Sequence, residues 1–332
     1  MEVLGLPFMQ RALLAALLTG LIAPAVGTYI VQRRLSLLGD GLGHVAIAGV
    51  GLALLTGTAP IPVAVAVAVA GAVVVEVLRQ RGKATGDVGL AILFYGGLAA
   101  GVLMSGIAGA GAGALSAYLF GSLTTVTVSD LLLIGGLALV VLVVTVGLAP
   151  QLFAVSADEE FARSQGARVD WYNLALVVLA AVTVTLAMRT VGLLLVSALM
   201  VIPVATARNL TQGFAAGLRA AMAIGVLVAV GGAVGSYYAD AAPGALIVVL
   251  AIAVFAASWP AALLTARRRR VALVLPEVVD DHTLPALHVL TEQHPHQHGE
   301  GCGHVGVRHE DHTDYLHEGH RHAAHADHYD EH

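Results

Sequence analysis

The chain has 332 residues, 58% hydrophobic and only 12% charged, with 17 Lys+Arg against 22 Asp+Glu and a formal net charge of -5. Soluble domains carry about 25% charged residues, so this composition excludes a pair of ordinary soluble domains and indicates a membrane protein. No basic face is long enough to suggest nucleic acid, and a single cysteine, Cys302, rules out an intramolecular disulfide framework.

Charge and histidine are unevenly placed. Of the 15 histidines, His44 alone precedes residue 282. The chain therefore divides into an apolar body, residues 1–266, and a polar tail, residues 267–332, rich in His, Asp and Glu.

A helix crosses the hydrocarbon core with about 20 apolar residues. Charge-free runs of that order cover residues 12–32, 41–75, 88–129, 131–157, 171–188, 191–207, 220–239 and 241–266. Pro60 and Pro62 split the second run into two spans. The glycine-rich stretch at 106–113 ends the third, leaving 115–128 as a short surface or re-entrant piece. About nine helices result, with eight to ten compatible, because Met188–Arg189 reads as either a loop or a helix break. The basic residues Arg33/Arg34, Arg79/Arg81/Lys83, Arg163/Arg168, Arg208/Arg219 and Arg267–Arg270 fall in alternate connections. That alternation predicts an extracytoplasmic N-terminus and a cytoplasmic tail. The expected fold is an all-α integral membrane bundle, its Gly- and Ala-rich faces serving close helix packing.

Three features stand out from this background. Asp40 and His44 lie four apart, which on a helix puts them on one face with Cβ atoms about 5–6 Å apart. A carboxylate and an imidazole so placed can ligate one divalent metal, hydrogen-bond to each other, or leave the Asp as a helix cap. The second is the polar connection Ser156–Asp170, where Ser156 or Asp158 would cap a short helix ending at Gly166. Such an exposed helix suits docking to a soluble partner, although an ordinary solvated loop fits the same residues.

The third is the tail. Its candidate metal ligands are His294, His296, His298, His304, His309, His312, His317, His320, His322, His325 and His328, interspersed with acids. Low apolar content predicts disorder, and the irregular spacing defines no single four-ligand site. Imidazole-rich ligands favour Zn²⁺ over Mn²⁺. No Walker A motif accompanies Lys83 and no nucleotide fingerprint occurs elsewhere, so any ATP hydrolysis belongs to a different polypeptide.

Four motifs appear in order: RRLSLLGDGLGH from Arg33 to His44, LFGSL from Leu119, DEEFAR from Asp158, and VGLLLVSALMVIPVATAR from Val191 to Arg208. Together, across residues 8–265, they resemble the membrane permease subunits of bacterial zinc/manganese ABC importers. The resemblance implies a type II ABC importer-like permease in the bacterial plasma membrane, acting as a homodimer with the metal path at its axis. Its partners would be cytoplasmic ABC ATPase subunits and an extracytoplasmic metal-binding lipoprotein. It implies a transient metal site at Asp40 and His44. It also implies an ATPase-coupling helix at Asp158, Glu159, Glu160, Phe161, Ala162 and Gly166. The metal is substrate and no cofactor is permanently bound. Zn²⁺ is the preferred ion. A Mn²⁺/Fe²⁺ importer of the same family and a stand-alone secondary metal carrier remain as alternatives. The tail lies outside the family's common core.

Overall fold

The computed structural model describes residues 6–81, 86–121, 126–273, 289–291, 303–309, 312–317, 320–325 and 328–331. The chain divides into two compact units, Met1–Arg269 and Arg270–His332. In the first, the described residues form α1 (Pro7–Gln32), α2 (Leu38–Thr56), α3 (Pro60–Gln80), α4 (Gly86–Ile107), α5 (Gly111–Phe120), α6 (Val128–Gly147), α7 (Ala149–Ala157), α8 (Glu159–Ser164), α9 (Val169–Val191), α10 (Leu193–Leu210), α11 (Phe214–Ala239) and α12 (Pro243–Leu273), the last running on into the second unit.

Eight of these helices are long and apolar enough to cross a membrane, and the apolar part of α4, Ala91–Ile107, is shorter. With α4 the order matches the nine-helix reading. The short α5 occupies the place where a surface or re-entrant piece is expected. At Met188–Arg189 the backbone stays helical; the chain turns instead at Gly192, φ +89°, which sits against the backbone of Phe120 and Gly121. No side chain fits at that contact, and the left-handed φ favours glycine independently. Helix α12 likewise continues through Arg267–Arg270 to Leu273. Those arginines end the apolar stretch but not the helical backbone, since Arg is a good helix former.

Helix ends follow local chemistry. α1 closes with Arg34 in the left-handed region (φ 60°), Leu35 N–H reaching the Ile30 carbonyl at 3.0 Å and Arg34 N–H reaching Val31 at 3.1 Å. That pattern satisfies two of the carbonyls a helix terminus leaves open. α6 starts with a capping box in which Thr127 and Asp130 satisfy each other's backbone N–H groups. The core is built mainly from α1, α2, α9 and α10, with Ile22, Tyr29, Leu42, Ile47, Leu176 and Leu193 among its fully buried side chains. Helices α3, α6, α11 and α12 expose more apolar surface, as lipid-facing elements do: Val74, Leu132, Leu139, Leu227 and Val249 are examples.

Composition leads to an expectation of disorder for the tail, but here the structure differs. The second unit contains a five-stranded antiparallel sheet in the order β1-β5-β4-β3-β2, from Val289–Thr291 (β1), Val305–His309 (β2), His312–His317 (β3), His320–His325 (β4) and His328–Glu331 (β5). Only two residues of sequence separate β2 from β3, β3 from β4, and β4 from β5. Val, Thr and Tyr favour the strand state in β1, β2, β3 and β5, though β4 (HRHAAH) has none of them, and the two-residue intervals set the hairpins, a pattern that average composition does not register.

Candidate functional site

Asp40 stands in the first turn of α2, and His44 one turn later. His44 is buried, and its Nδ1 lies 2.8 Å from the backbone carbonyl of Asp40. A carbonyl oxygen only accepts, so Nδ1 carries the proton and donates. The neutral ring then keeps its lone pair on Nε2, the form that can bind a metal. Thus the direct pairing of an Asp carboxylate with the imidazole, one of the sequence alternatives, gives way to a backbone contact that fixes the tautomer and the ring's orientation.

Neighbouring helices hold this ring. The Phe94 ring of α4 lies 4.1 Å from it between centroids, tilted by 46°. A Cβ on Gly97 would come within 2.7 Å of the His44 carbonyl carbon, so α4 approaches α2 here through a missing side chain. On the α10 side, the place a Gly39 Cβ would take lies 3.3 Å from Met200 Sδ and 3.6 Å from Ser197 Oγ. That hydroxyl is buried and finds no hydrogen-bond partner among the described residues. Phe94, Gly97 and Ser197 escape a sequence reading because each acts through a contact with a distant helix. Among the described residues, no third His, Cys, Asp or Glu joins Asp40 and His44 in a group able to hold a metal ion.

Asp158 caps α8, its carboxylate accepting from Phe161 N–H at 2.9 Å, and Gly166 (φ +81°) ends the turn. Phe161 is 60% exposed, and Glu160 is exposed beside it. Ala162 is buried against Val155 and Val169, so it anchors the helix from beneath. A groove of about 690 Å³ runs beside it, lined by Gln151, Phe161, Gln165, Arg168 and Trp171 among others. Arg163 is paired to Asp170 at 2.9 Å, a bond that raises its pKa.

Glu159 does not face outward to a partner alone. Its Oε1 accepts from Arg79 at 3.0 Å, Asn173 at 3.1 Å and Arg33 at 3.4 Å. Glu76 of α3 in turn accepts from Arg79 at 2.8 and 3.0 Å, Gln80 at 3.1 Å and Arg33 at 3.3 Å. Arg33 and Glu76 are almost fully enclosed, at 3% and 2% side-chain exposure. Burial pulls the Arg33 guanidinium below its ordinary range and Arg79 adds to this, while Glu76 and Glu159 oppose it. The network joins α8 to the end of α1, to α3 and to α9. At the opposite ends of α6 and α9, Arg189 pairs with the buried Asp130 at 3.1 Å.

Of the tail candidates, His294, His296 and His298 lie outside the described residues. His304 is half-buried just before β2, and His309, His312, His317, His320, His322, His325 and His328 occupy strand positions.

Residues 5–261 match the family described as "ABC 3 transport family". A "Probable metal transport system membrane protein" of Treponema pallidum (strain Nichols) is 36% identical over 250 residues, covering 74% of this chain and 92% of that one. The "Manganese transport system membrane protein MntC" of Halalkalibacterium halodurans is 32% identical, over 78% and 88% of the two chains. The "High-affinity zinc uptake system membrane protein ZnuB" of Haemophilus influenzae is 28% identical, over 74% and 95%. Among solved structures, "PsaBC from Streptococcus pneumoniae in complex with Fab" superposes with a TM-score of 0.70 at 28% identity, covering 78% of this chain and 93% of that one.

Proposed function

The chain belongs to the ABC 3 transport family as a multi-pass membrane permease subunit of a metal importer, and we propose that the ion it moves is Zn²⁺. The observation that carries metal passage is the His44 Nδ1 contact to the Asp40 carbonyl, which leaves Nε2 free on a buried helix. His44 lies six residues into α2, about 9 Å along the helix. The preference for Zn²⁺ rests on the tail, whose ligands are imidazole-rich. The manganese relative supports the alternative reading, in which the same permease carries Mn²⁺.

In this reading the permease works as a homodimer. Each copy contributes Asp40 and His44, so a passing ion meets up to four donors at the axis. Two carboxylates near the path lower the electrostatic cost of a divalent cation, and a site of modest affinity lets the ion leave again. A receptor outside the membrane delivers the ion.

ATPase subunits supply the driving force on the cytoplasmic side. They dock on α8, where Phe161 and Glu160 present the contact and Ala162 fixes the helix to the body. Displacement of α8 reaches Glu159 and, through it, Arg33. From Arg33 only seven residues lead to Asp40, across the short connection between α1 and α2. Docking and metal site are thereby joined by one ion-pair cluster and one turn of chain.

The test is ⁶⁵Zn²⁺ uptake into vesicles holding this chain, its cognate ATPase and its receptor, with Mn²⁺ as competitor. ATP-dependent zinc accumulation that excess Mn²⁺ barely inhibits supports the proposal. Preference for Mn²⁺ reverses the metal, and accumulation without ATP overturns the ATP-driven reading in favour of a secondary carrier.

A further inference from the structure

A cavity that serves neither the metal path nor the α8 docking face is lined by α1, α7, α10 and α11. Gln32 is the last residue of α1, Arg208 stands in the last turn of α10, Phe214 opens α11, and Phe153 of the short α7 completes the wall. The cavity volume is about 230 Å³. Pockets for drug-sized molecules hold roughly 300–1,000 Å³, so this space suits a smaller chemical group. α1, α10 and α11 each have the length and hydropathy of a membrane span, so a cavity at their ends lies at headgroup depth. On the orientation predicted from the basic residues, this end faces the cytoplasmic leaflet, which holds the anionic lipids.

Charge sets the cavity apart. Arg33, Arg79, Arg163 and Arg189 each meet a carboxylate. Arg208 instead donates to the side-chain oxygen of Gln32, a neutral group. No Asp or Glu occurs anywhere in α1, α7, α10 or α11, nor in the turn 211–213. The elements that line the cavity therefore supply a guanidinium and no counter-charge.

The remaining polar atoms select the ligand. Gln32 accepts through Oε1, which leaves its Nε2 amide to donate beside the guanidinium. Thr28 and Thr211 spend their hydroxyl protons on the carbonyls of Pro24 and Ala207, each at 2.8 Å. A guanidinium and an amide suit an anion with several acceptor oxygens. Phe153 and Phe214, with ring centroids 4.5 Å apart, give the same space an apolar wall. We propose that this cavity binds the phosphate of an anionic phospholipid. Arg208 and Gln32 hold the phosphate oxygens, and Phe153 and Phe214 cover the glycerol and the first methylenes. Inorganic phosphate shares the headgroup chemistry but gains nothing from the aromatic wall. The lipid bridges the ends of α1, α10 and α11 to α7, the helix that leads into α8.

The experiment is native mass spectrometry of the full-length protein in detergent, titrated with phosphatidylglycerol, phosphatidylcholine or inorganic phosphate. Its readout is bound mass, so it succeeds or fails independently of the transport proposal. The first phosphatidylglycerol is expected to bind at least fivefold more tightly than phosphatidylcholine, and inorganic phosphate at equal concentration leaves it in place. Arg208→Gln lowers phosphatidylglycerol affinity by about fivefold or more, the contribution of one basic residue to anionic-lipid binding, and leaves phosphatidylcholine unchanged. Gly217→Leu tests the space instead of the charge. A Cβ there meets only Thr211 Oγ1, at 3.6 Å, so the backbone accepts the change while the longer side chain fills the cavity and lowers affinity likewise. Arg219→Gln is the control: that arginine is exposed, bonds to the Ala215 carbonyl of its own helix, and its loss leaves affinity as in the wild type. Equal losses from Arg208→Gln and Arg219→Gln overturn the proposal and mark diffuse attraction to a basic face. Unchanged binding in both Arg208→Gln and Gly217→Leu overturns it too, as does full displacement by inorganic phosphate at equal concentration, which assigns the cavity to the free anion.

Discussion

Removing Glu76 should be the most damaging single change in the charged cluster, and the geometry gives its size. Arg79 is 25% exposed and can turn to water or to Glu159 when its first partner is lost. Arg33 cannot: its side chain is 3% exposed, and its Nε and Nη1 already lack partners among the described residues. Glu76→Ala leaves that guanidinium with Glu159 alone, at 3.4 Å and shared with two other donors. Breaking a buried pair from one side costs about 3–5 kcal/mol, most of it the uncompensated charge. Glu159→Ala should cost only about 1 kcal/mol, because Glu159 is 35% exposed and both arginines keep Glu76. Adding Arg33→Met to Glu76→Ala removes the stranded charge and should restore at least half of the loss. The assay is SDS-titrated unfolding of the purified protein, read by tryptophan fluorescence. Equal costs for Glu76→Ala and Glu159→Ala, or no recovery with Arg33→Met, would refute the burial argument.

Further outcomes follow from the same geometry. Asp40→Ala and His44→Ala should each abolish reconstituted metal uptake while leaving detergent-solubilised assembly with the ATPase intact; normal uptake in both removes them from the path. Gly97→Val should push α4 off α2 at His44, lowering uptake at least tenfold with ATPase binding unchanged, as checked by pull-down and transport on one preparation. Phe161→Ala should weaken ATPase docking by about 2 kcal/mol, roughly 30-fold, as expected for an exposed aromatic anchor, and surface plasmon resonance reads this directly. Asp130→Ala should destabilise by about 1 kcal/mol or more through loss of the α6 capping box, without altering ATPase docking at the opposite membrane face.

Much of this architecture is legible in the linear chain because a bilayer imposes a simple rule on length and polarity. Runs without charge located the spans, and Pro60 marked the start of α3 where proline is tolerated at a first helical turn. Asp158 and Gly166 announced α8 through their capping chemistry, which depends only on near neighbours. What escaped was of another kind. Glu76 carries no local signal: its partner Arg33 is 43 residues away, and Glu159 reaches Arg33 across 126. Such separations follow no period, so only the packed helices bring the groups together.

The strands of the tail have the same root. Average composition treats His317, His320 and His322 as interchangeable polar residues, and low apolar content argues against a core. A hairpin ladder, however, is specified by order: strand-favouring residues separated by two-residue intervals, so that His309–His312, His317–His320 and His325–His328 recur at a step of eight. A pairing register with period two then assigns alternate pairs to opposite faces. The register accordingly sets His309 opposite His312, His317 opposite His320 and His325 opposite His328. Sliding β4 by one residue against β3 would take His320 out of line with His317, so strand register, and not histidine content, sets which histidine positions stand opposite one another.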